Sequence, residues 1–482
     1  GVARLREVTT ATVVGSGPNG LAAAVTLAAA GLEVTVLEAA DVPGGGTRSV
    51  EATLPGLLHD ECAGFHPLAV GSELARTFDL AAHGLRWAWP EVQYAHPLDD
   101  GGGAAAVRSV RGTAAALGPD ARAWERLFGH LTRRFEAVTD DLLRPVLHVP
   151  RHPVGLVGFG ARAGLPATVL ARRFAAEPAR ALWAGVAAHA FRPLDTLASS
   201  AIGLALGTAA HHAGWPVAVG GSRAIADAYL SLLAGLGGRV ETGVRVRSYA
   251  DCAADVVMLD TSPLAAVEIL GDRMPARVRA AYRRHRHGPG AFQVALAVEG
   301  GVPWAYEPAR RAGTVHVGGT AAEVAEAERQ TWRGRLAERP FVLVGQQHLA
   351  DPSRSRDGVH PVDAYAHVPA GFDGDATDLL LGQLERFAPG LRERIVAVAP
   401  RSPHDLQAAN ANLVGGDIVG GANTARQLLL RPRVALDPYA TGAPGVFLCS
   451  AATPPGAGAH GLCGLRAAQS ALRTLGHGAT HD

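Results

Sequence analysis

Short apolar runs separated by glycine characterise the first forty residues of the chain. The pattern predicts a buried strand in TATVVG, a turn in GSGPNG, a helix in LAAAVTLAAAG that ends at Gly31, and a second strand in EVTVLEA. An acid, Glu38, stands at the end of the second strand. This part of the chain is therefore a predicted β-α-β unit with a glycine-rich turn.

The turn of this unit has the G-x-G-x-x-G spacing of a dinucleotide-binding loop. Its glycines let the backbone approach a pyrophosphate at the amino end of the helix, and the acid accepts hydrogen bonds from ribose hydroxyls. The residues predicted to bind an adenine dinucleotide here are Gly15, Ser16, Gly17, Pro18, Asn19, Gly20, Glu38 and Ala39.

A second glycine cluster follows in DVPGGGTRS. Consecutive glycines allow another close approach to phosphates, and an arginine adds positive charge. The predicted contacts of this cluster are Gly45, Gly46, Thr47 and Arg48.

With this cluster the sequence resembles the FAD-dependent amine-oxidase and phytoene-desaturase superfamily, in which a glycine pair and a basic residue follow the ribose acid. The resemblance covers nearly the whole chain, and it extends to a bacterial branch of phytoene dehydrogenase-like proteins. It implies FAD as the cofactor. It also implies that a strand carrying Val244 and Val246 lies beside the adenine, and that Thr261 lies near the cofactor.

The stretch PPGAGAHGLCG repeats the G-x-G-x-x-G spacing near the other end of the chain. A strand precedes it and a helix follows it, but no further strand with an acid completes a separate Rossmann unit. We therefore expect this helix to point at the same cofactor, from its isoalloxazine end. The residues predicted there are Thr453, Pro455, Gly456, Gly458, His460 and Gly461. A third glycine cluster, GLVGFGARAG, has the wrong spacing, so we predict no separate nicotinamide site.

The positions of these segments predict an α/β fold with a discontinuous Rossmann-type FAD-binding domain and a mixed α+β substrate domain. The FAD-binding domain is expected to comprise residues 8–70, 216–272 and 434–476. The substrate domain is expected to comprise residues 73–215 and 280–430.

Composition narrows the chemistry. The net charge is +1 and all 45 basic residues are arginine, so a lysine Schiff base is excluded and a nucleic-acid partner is not expected. Four cysteines without a C-x-x-C pair argue against disulfides, a dithiol centre and a zinc ribbon, and we predict no metal site. A reducing cytoplasm is the expected location.

Residues 196–222 contain no Asp, Glu or Arg, but histidine, glycine and proline interrupt the apolar run. Its apolar part is too short to cross a membrane. We expect a buried helix that lines a lipophilic pocket, with peripheral membrane contact as the alternative.

Candidate catalytic residues are polar groups in the segments expected near the flavin or the substrate: His460, Gln293, His66 and Tyr365, with His367 and Asp417 as further candidates. The resemblance implies an oxidoreductase that removes a hydride and a proton from a lipophilic, polyene or isoprenoid-like small molecule. Oxygen or a quinone-like compound would then accept the electrons. A flavin-dependent isomerase, an amine oxidase-like enzyme and a non-catalytic flavin-binding scaffold remain open.

Overall fold

The computed structural model of the protein describes residues 9–145 and 151–476. The strands in this part of the chain are β1 (Thr10–Val14), β2 (Glu33–Leu37), β3 (Ser49–Val50), β4 (His59–Asp60), β5 (Trp87–Ala88), β6 (Val92–Pro97), β7 (Gly103–Ala106), β8 (Val217–Ala218), β9 (Arg239–Glu241), β10 (Val256–Leu259), β11 (Gly290–Glu299), β12 (Ala312–Val317), β13 (Val342–Gly345), β14 (Val359–Val368), β15 (Ile395–Arg401) and β16 (Val446–Leu448).

The α-helices between these strands range from one to more than three turns. They are α1 (Pro18–Ala29), α2 (Glu73–Thr77), α3 (Val110–Ala116), α4 (Ala121–Arg133), α5 (Phe135–Leu142), α6 (Pro153–Ala163), α7 (Ala167–Ala171), α8 (Glu177–Ala188), α9 (Ser200–His212), α10 (Arg223–Gly235), α11 (Pro263–Leu270), α12 (Ala276–Arg283), α13 (Ala321–Trp332), α14 (Thr377–Phe387), α15 (Leu391–Arg394), α16 (Pro403–Ala409), α17 (Ala425–Leu430) and α18 (Leu462–Thr474).

One sheet is parallel throughout and has the strand order β16-β10-β1-β2-β9. Its central strands are short apolar runs because helices cover both faces. Side chains from α1, α10 and α18 pack on one face, and side chains from α11 and α12 pack on the other. This arrangement confirms the predicted Rossmann-type architecture.

A second, mixed sheet has the order β15-β11-β14-β13-β12-β6-β7. One face carries Val294, Val344 and Ala364 and packs against α14. The other face carries Gln293 and Tyr365, which are directly opposite one another on β11 and β14. Beyond this face lie α4, α8, α9 and α13, whose apolar side chains form the largest core cluster. This arrangement confirms the predicted fold class, in which a mixed α+β unit accompanies the Rossmann-type unit.

Two local expectations have different outcomes. The strand expected to carry Val244 and Val246 is wrong, because β9 ends at Glu241 and Gly243 turns the chain with φ +71°. Val244 nevertheless donates its backbone N–H to the carbonyl of Glu38 at 2.8 Å, which holds it beside the second strand. The third glycine cluster lies largely within helix α6.

Helix α9 occupies most of the apolar stretch at residues 196–222, and residues such as Leu204 and Ala210 are buried in it. Among the described residues, no helix combines the length and the apolar character needed to cross a bilayer.

Candidate functional site

The first glycine loop joins β1 to α1 at the carboxyl edge of the parallel sheet, where ligands of such sheets bind. Gly15 has φ +100°, and a Cβ on it would lie 2.9 Å from the carbonyl oxygen of Asp260. A Cβ on Gly20 would lie 2.2 Å from the carbonyl oxygen of Gly15. Only glycine therefore fits at both positions. Gly17 is the N-cap of α1 and has no side chain that could cap the helix, and Pro18 opens the helix.

Glu38 lies directly beside this loop. Its Oε2 accepts hydrogen bonds from the N–H of Ser16 at 2.9 Å and from the Ser16 hydroxyl at 2.5 Å, and its Oε1 accepts from the N–H of Ala40 at 2.8 Å. The neighbouring Ala39 is exposed. The geometry thus brings the acid to the loop, while the ribose contact of Glu38 stays a prediction.

The second glycine cluster packs on the first. Gly45 has φ +52°, and a Cβ on it would lie 2.8 Å from Cα of Gly17. The buried Thr47 donates its hydroxyl to the carbonyl of Gly44 at 2.7 Å and closes the turn. The two glycine clusters therefore form one continuous backbone surface.

Arg48 extends from this surface into a set of protein contacts. Its Nε donates to Glu61 at 2.6 Å, and its Nη2 donates to the carbonyl of Ala409 at 2.7 Å. A phosphate contact by Arg48, as predicted, would have to use the remaining nitrogen, Nη1.

The C-terminal glycine stretch reaches the same place from the other end of the chain. Gly461, with φ +71°, is the N-cap of α18. A Cβ on Gly464, in the first turn of α18, would lie 1.8 Å from the carbonyl oxygen of Asn19. Helices α1 and α18 therefore cross in backbone contact with their amino ends together. The two G-x-G-x-x-G stretches therefore lie side by side.

The remaining predicted cofactor residues lie around this crossing. Thr453 is buried and donates its hydroxyl to the carbonyl of Ser450 at 2.8 Å. The half-buried Val244 and Val246 pack beside the sheet, and the half-buried Thr261 follows β10. The segment holding Pro455, Gly456 and Gly458 lies between β16 and α18.

These residues fit an elongated dinucleotide. Glycine backbone lines the crossing of α1 and α18, where a side chain would block access. Two buried polar atoms, Asn19 Oδ1 and His460 Nε2, have no partner among the described residues. Buried polar groups are usually satisfied, so a polar ligand is the expected partner. Residues of the first two clusters would hold a pyrophosphate and ribose, and residues 453–461 would hold the ring end.

His460 is a buried cap of α18. The backbone N–H of Leu462 donates to its Nδ1 at 3.0 Å, so the ring proton of the neutral imidazole is on Nε2. Burial lowers the pKa of His460 to about 4. His460 is therefore suited to donate a hydrogen bond from Nε2 rather than to accept a proton at neutral pH.

His66 is also buried, and its ring makes a hydrogen bond with Ser222. Its Nε2 lies 2.9 Å from Oγ of Ser222, whose hydroxyl donates to the carbonyl of Ala63 at 2.5 Å. Burial lowers the pKa of His66 to about 4. These contacts hold the loop after β4 against the start of α10.

Gln293 and Tyr365 lie in a different place, on the face of the mixed sheet that lines a cavity of about 110 Å³. Cys62, Phe65 and Leu343 also line this cavity. Burial raises the pKa of Tyr365, so its hydroxyl stays protonated. The structure therefore brings Gln293 and Tyr365 together and keeps them apart from His66.

The carboxylates that line this cavity all have cationic or histidine partners. Asp60 accepts from Arg354 at 2.6 Å, Glu61 accepts from Arg48, and Asp363 lies 2.6 Å from Nδ1 of His59. Each acid is thus tied into the wall of the cavity.

The two further candidates are buried in acid–imidazole contacts. His367 Nδ1 lies 2.7 Å from Oε1 of Glu328, and its ring stacks on Phe191 with 3.7 Å between centroids. Asp417 lies 3.1 Å from Nδ1 of His287. Among the described residues no cluster of three or more His, Cys, Asp or Glu side chains is arranged to hold a metal ion.

Asp260 is a site residue that the sequence patterns did not single out. It follows β10 at the carboxyl edge of the sheet, and its Oδ2 accepts from the N–H of Gly20 at 3.0 Å. Burial raises its pKa from 3.8 to about 7. The available signal was an acid directly after the buried strand VVML, at the same sheet edge as the glycine loop.

Comparisons with known proteins agree with this architecture. Residues 13–83 match the NAD(P)-binding Rossmann-like domain family. Over 154 residues the chain is 27% identical to the pyridine nucleotide-disulfide oxidoreductase domain-containing protein 2 of Rattus norvegicus, covering 30% of this chain and 26% of that protein. The match thus spans about a quarter of the relative. A 46-residue segment is 56% identical to the hydroxyneurosporene desaturase of Rhodobacter capsulatus and covers 10% of this chain and 9% of that protein.

Solved structures match over nearly the whole length. A putrescine oxidase bound to putrescine has a TM-score of 0.64 at 17% identity, with 97% of this chain and 99% of that chain covered. An oxidoreductase from Methanosarcina mazei has a TM-score of 0.62 at 15% identity, with 96% and 100% covered. A CLA-producing fatty acid isomerase from P. acnes has a TM-score of 0.56 at 16% identity, with 96% and 98% covered.

Over nearly its whole length the chain therefore has the fold of these solved structures, and residues 13–83 form a Rossmann-like domain of the NAD(P)-binding type.

Proposed function

We propose that this protein binds FAD across its glycine clusters and oxidises a lipophilic small molecule by removing a hydride and a proton from a carbon–carbon unit. The observation that carries the proposal is that one residue, Cys62, lies between the cavity on the mixed sheet and the surface formed by the glycine clusters. Cys62 lines the cavity on the mixed sheet, and its Cβ lies 3.7 Å from where a Cβ on Gly46 would be. A substrate in the cavity would therefore lie next to the cofactor surface.

The lining of the cavity favours a lipophilic substrate over an amine. Phe65 and Leu343 supply apolar surface, and the half-buried Leu206 of α9 packs on the same core as Phe65. The acids that line this cavity are already paired, so none of them is free to serve as the counter-ion of an ammonium group. The family resemblance implies that amine oxidation would use a lysine near the flavin. This chain contains no lysine.

Residues of the cavity would orient the substrate rather than take its proton. Gln293 receives a long contact of 3.5 Å from Nη1 of Arg401, which leaves its amide N–H groups free to bind a polar substrate atom. The hydroxyl of Tyr365 has no hydrogen-bond partner among the described residues and, being protonated, serves as a donor. Bound FAD supplies a two-electron acceptor for the hydride. The second hydrogen leaves the substrate as a proton.

The cofactor assignment is tested with Glu38→Arg. The variant should purify without FAD, since an arginine in place of the acid removes the ribose acceptor and the contacts to Ser16. Glu338→Arg, at an exposed position outside the site, is the matched control and should stay yellow. FAD in equal molar amount to protein in the Glu38 variant would exclude this role.

The reaction is tested by anaerobic mixing of the FAD-loaded protein with lipophilic polyenes and isoprenoid-like compounds. Loss of flavin absorbance with formation of an oxidised product supports the proposal. Turnover that occurs only after chemical reduction of the flavin would identify a redox-neutral isomerase instead. FAD binding without bleaching or turnover with any compound would favour a scaffold.

We further propose oxygen or a quinone-like compound as the final electron acceptor. The third glycine cluster is a helix in the structure, and the C-terminal G-x-G-x-x-G stretch lies beside the first one, so the described residues offer no separate second dinucleotide loop of this spacing. Reoxidation of the reduced protein should therefore be fast with these acceptors and slow with NAD or NADP, as followed by flavin absorbance. Rapid formation of NADH or NADPH would contradict it.

A further inference from the structure

Arg431 is a buried cation in contact with the C-terminal glycine stretch. It is 3% exposed and donates to the carbonyl of Gln427 from Nε at 2.9 Å and to Oδ1 of Asn423 from Nη2 at 2.9 Å. Its Nη1 makes a long contact of 3.4 Å with the carbonyl of Ala451. All of these acceptors are neutral, and no described carboxylate lies within 4.0 Å of the guanidinium.

A second buried arginine is joined to Arg431 through one residue. Arg192 is 6% exposed and donates from Nη1 to the carbonyl of Asn423 at 2.6 Å and from Nη2 to the hydroxyl of Thr196 at 2.8 Å. Asn423 is itself fixed by donating to the carbonyl of Ala190 at 3.1 Å. Arg192 also has no carboxylate partner among the described residues, and its Nε has no partner at all.

Burial removes the hydration of both guanidiniums, so the arrangement costs folding free energy unless an anion offsets it. The acid whose charge reaches Arg431 is Asp417, which already accepts from His287 and from the N–H groups of Gly288 and Val419. One acid against two arginines leaves a positive charge without a counter-ion.

The location of this charge identifies the group that it faces. A Cβ on Gly456 would lie 2.8 Å from Nη1 of Arg431, so glycine at this position lets the cation reach the backbone of the stretch. This stretch follows β16 at the carboxyl edge of the sheet and leads into the amino end of α18. Glu38 follows β2, three strands away along the same edge, whereas Asp260 follows β10, the strand that pairs with β16. Arg431 therefore lies at the β16 end of this edge and Glu38 lies toward the other end.

We propose that Arg192 and Arg431, held by Asn423, are positioning residues that stabilise the negative charge gained by the isoalloxazine ring on hydride transfer. This inference rests on the proposed function. In that reaction one substrate C–H bond breaks and both of its electrons move to the ring with the hydrogen. The second hydrogen leaves as a proton, and oxygen or a quinone-like acceptor later removes the two electrons. The buried charge favours the reduced, negatively charged ring over the oxidised, neutral ring.

The test is the two-electron midpoint potential of the FAD-loaded protein, measured by spectroelectrochemical titration. Arg431→Gln should weaken the preference for reduced over oxidised FAD by about tenfold, which corresponds to a fall of about 30 mV. Arg431→Lys keeps the charge and should restore most of the potential. Arg392→Gln changes an exposed arginine that pairs with Asp378 and should leave the potential unchanged.

The outcomes separate this inference from the proposed function. A wild-type protein that does not bind FAD would refute the proposed function, and the inference with it. Stoichiometric FAD with an unchanged or raised potential in Arg431→Gln would overturn the inference alone. A higher KM of Arg431→Gln for carboxylate-bearing substrates, with an unchanged flavin midpoint potential, would also overturn it. The two arginines would then bind the substrate. If Arg431→Gln does not fold, Arg192→Gln should lower the potential in the same direction by a smaller amount.

Discussion

Two regions of the molecule bury arginine in opposite ways. Arg354 is fully buried between two carboxylates, with Nη1 2.6 Å from Asp60 and Nε 3.2 Å from Asp351, and its Nη2 donates to the carbonyl of Ala218. Arg192 and Arg431 are almost as deeply buried but bond only to neutral acceptors. The first region carries its own counter-ions, and the second does not.

The difference separates a structural charge from a functional one. Arg354 joins Asp60 of β4, which lines the proposed substrate cavity, to β8 and to the turn at residues 351–354, so its charge is balanced by the carboxylates that it holds in place. The positive charge of the Arg192 and Arg431 pair remains available to a bound group. Burial alone does not distinguish these cases, whereas the counter-ion does.

The largest effect on stability is expected when Arg354 is removed from between its two carboxylate partners. Arg354→Met leaves Asp60 and Asp351 buried without their cation, so the free energy of unfolding should fall by about 3–5 kcal/mol. Urea denaturation measures the change, and Arg356→Met, at an exposed neighbouring arginine, is the control. A loss below about 1 kcal/mol would show that the cluster does not depend on its cation.

A buried acid without a cation extends the comparison to the opposite charge. The folded pKa of Asp260 is raised from 3.8 to about 7, so the folded protein holds a proton that the unfolded chain releases. The contribution of Asp260 to stability is therefore fully present below about pH 4 and should fall by about 1.4 kcal/mol per pH unit as pH rises toward 7.

This prediction is checked on the FAD-free protein by comparing wild type with Asp260→Asn. The difference in unfolding free energy between the two should change with pH across this window, because the variant does not titrate. Asp272→Asn, at a fully exposed acid, should not show this slope. A pH-independent difference for Asp260→Asn would mean that Asp260 is ionised throughout.

The smallest change in stability is expected at Arg431, which has no carboxylate partner among the described residues. Arg431→Met removes hydrogen bonds to neutral acceptors, but it also removes a buried charge without a counter-ion, and these effects offset one another. The unfolding free energy of the FAD-free protein should change by about 1 kcal/mol or less. A loss as large as that of Arg354→Met would remove the distinction between the two regions.

Local patterns predicted much of the fold because the required residues are neighbours in sequence. The strand, glycine loop, helix and acid at Glu38 lie within thirty positions, and their geometry follows from backbone rules. The strand at Val244 and Val246 is wrong because Gly243 ends the pairing, although the segment still bonds to Glu38.

The chemistry of individual side chains was less predictable, because it depends on partners far away in the chain. His66 is committed to Ser222, and the cavity brings together Gln293, Tyr365 and the loop after β4 only in the folded state. Arg354 and Arg431 stand in similar arginine-rich segments, SRSRDG and LLLRPR. No local signal reveals that the first has carboxylate partners and the second has none.

The contact between Gly464 and Asn19 has a consequence for synthesis. Helix α1 is synthesised well before α18, yet its apolar residues Leu21 and Ala22 are covered in part by α18. At roughly 5–20 residues per second, tens of seconds separate the two helices. During that interval the nascent chain exposes apolar surface of α1, and the proposed dinucleotide site is incomplete. We therefore expect FAD to bind only after α18 has been synthesised.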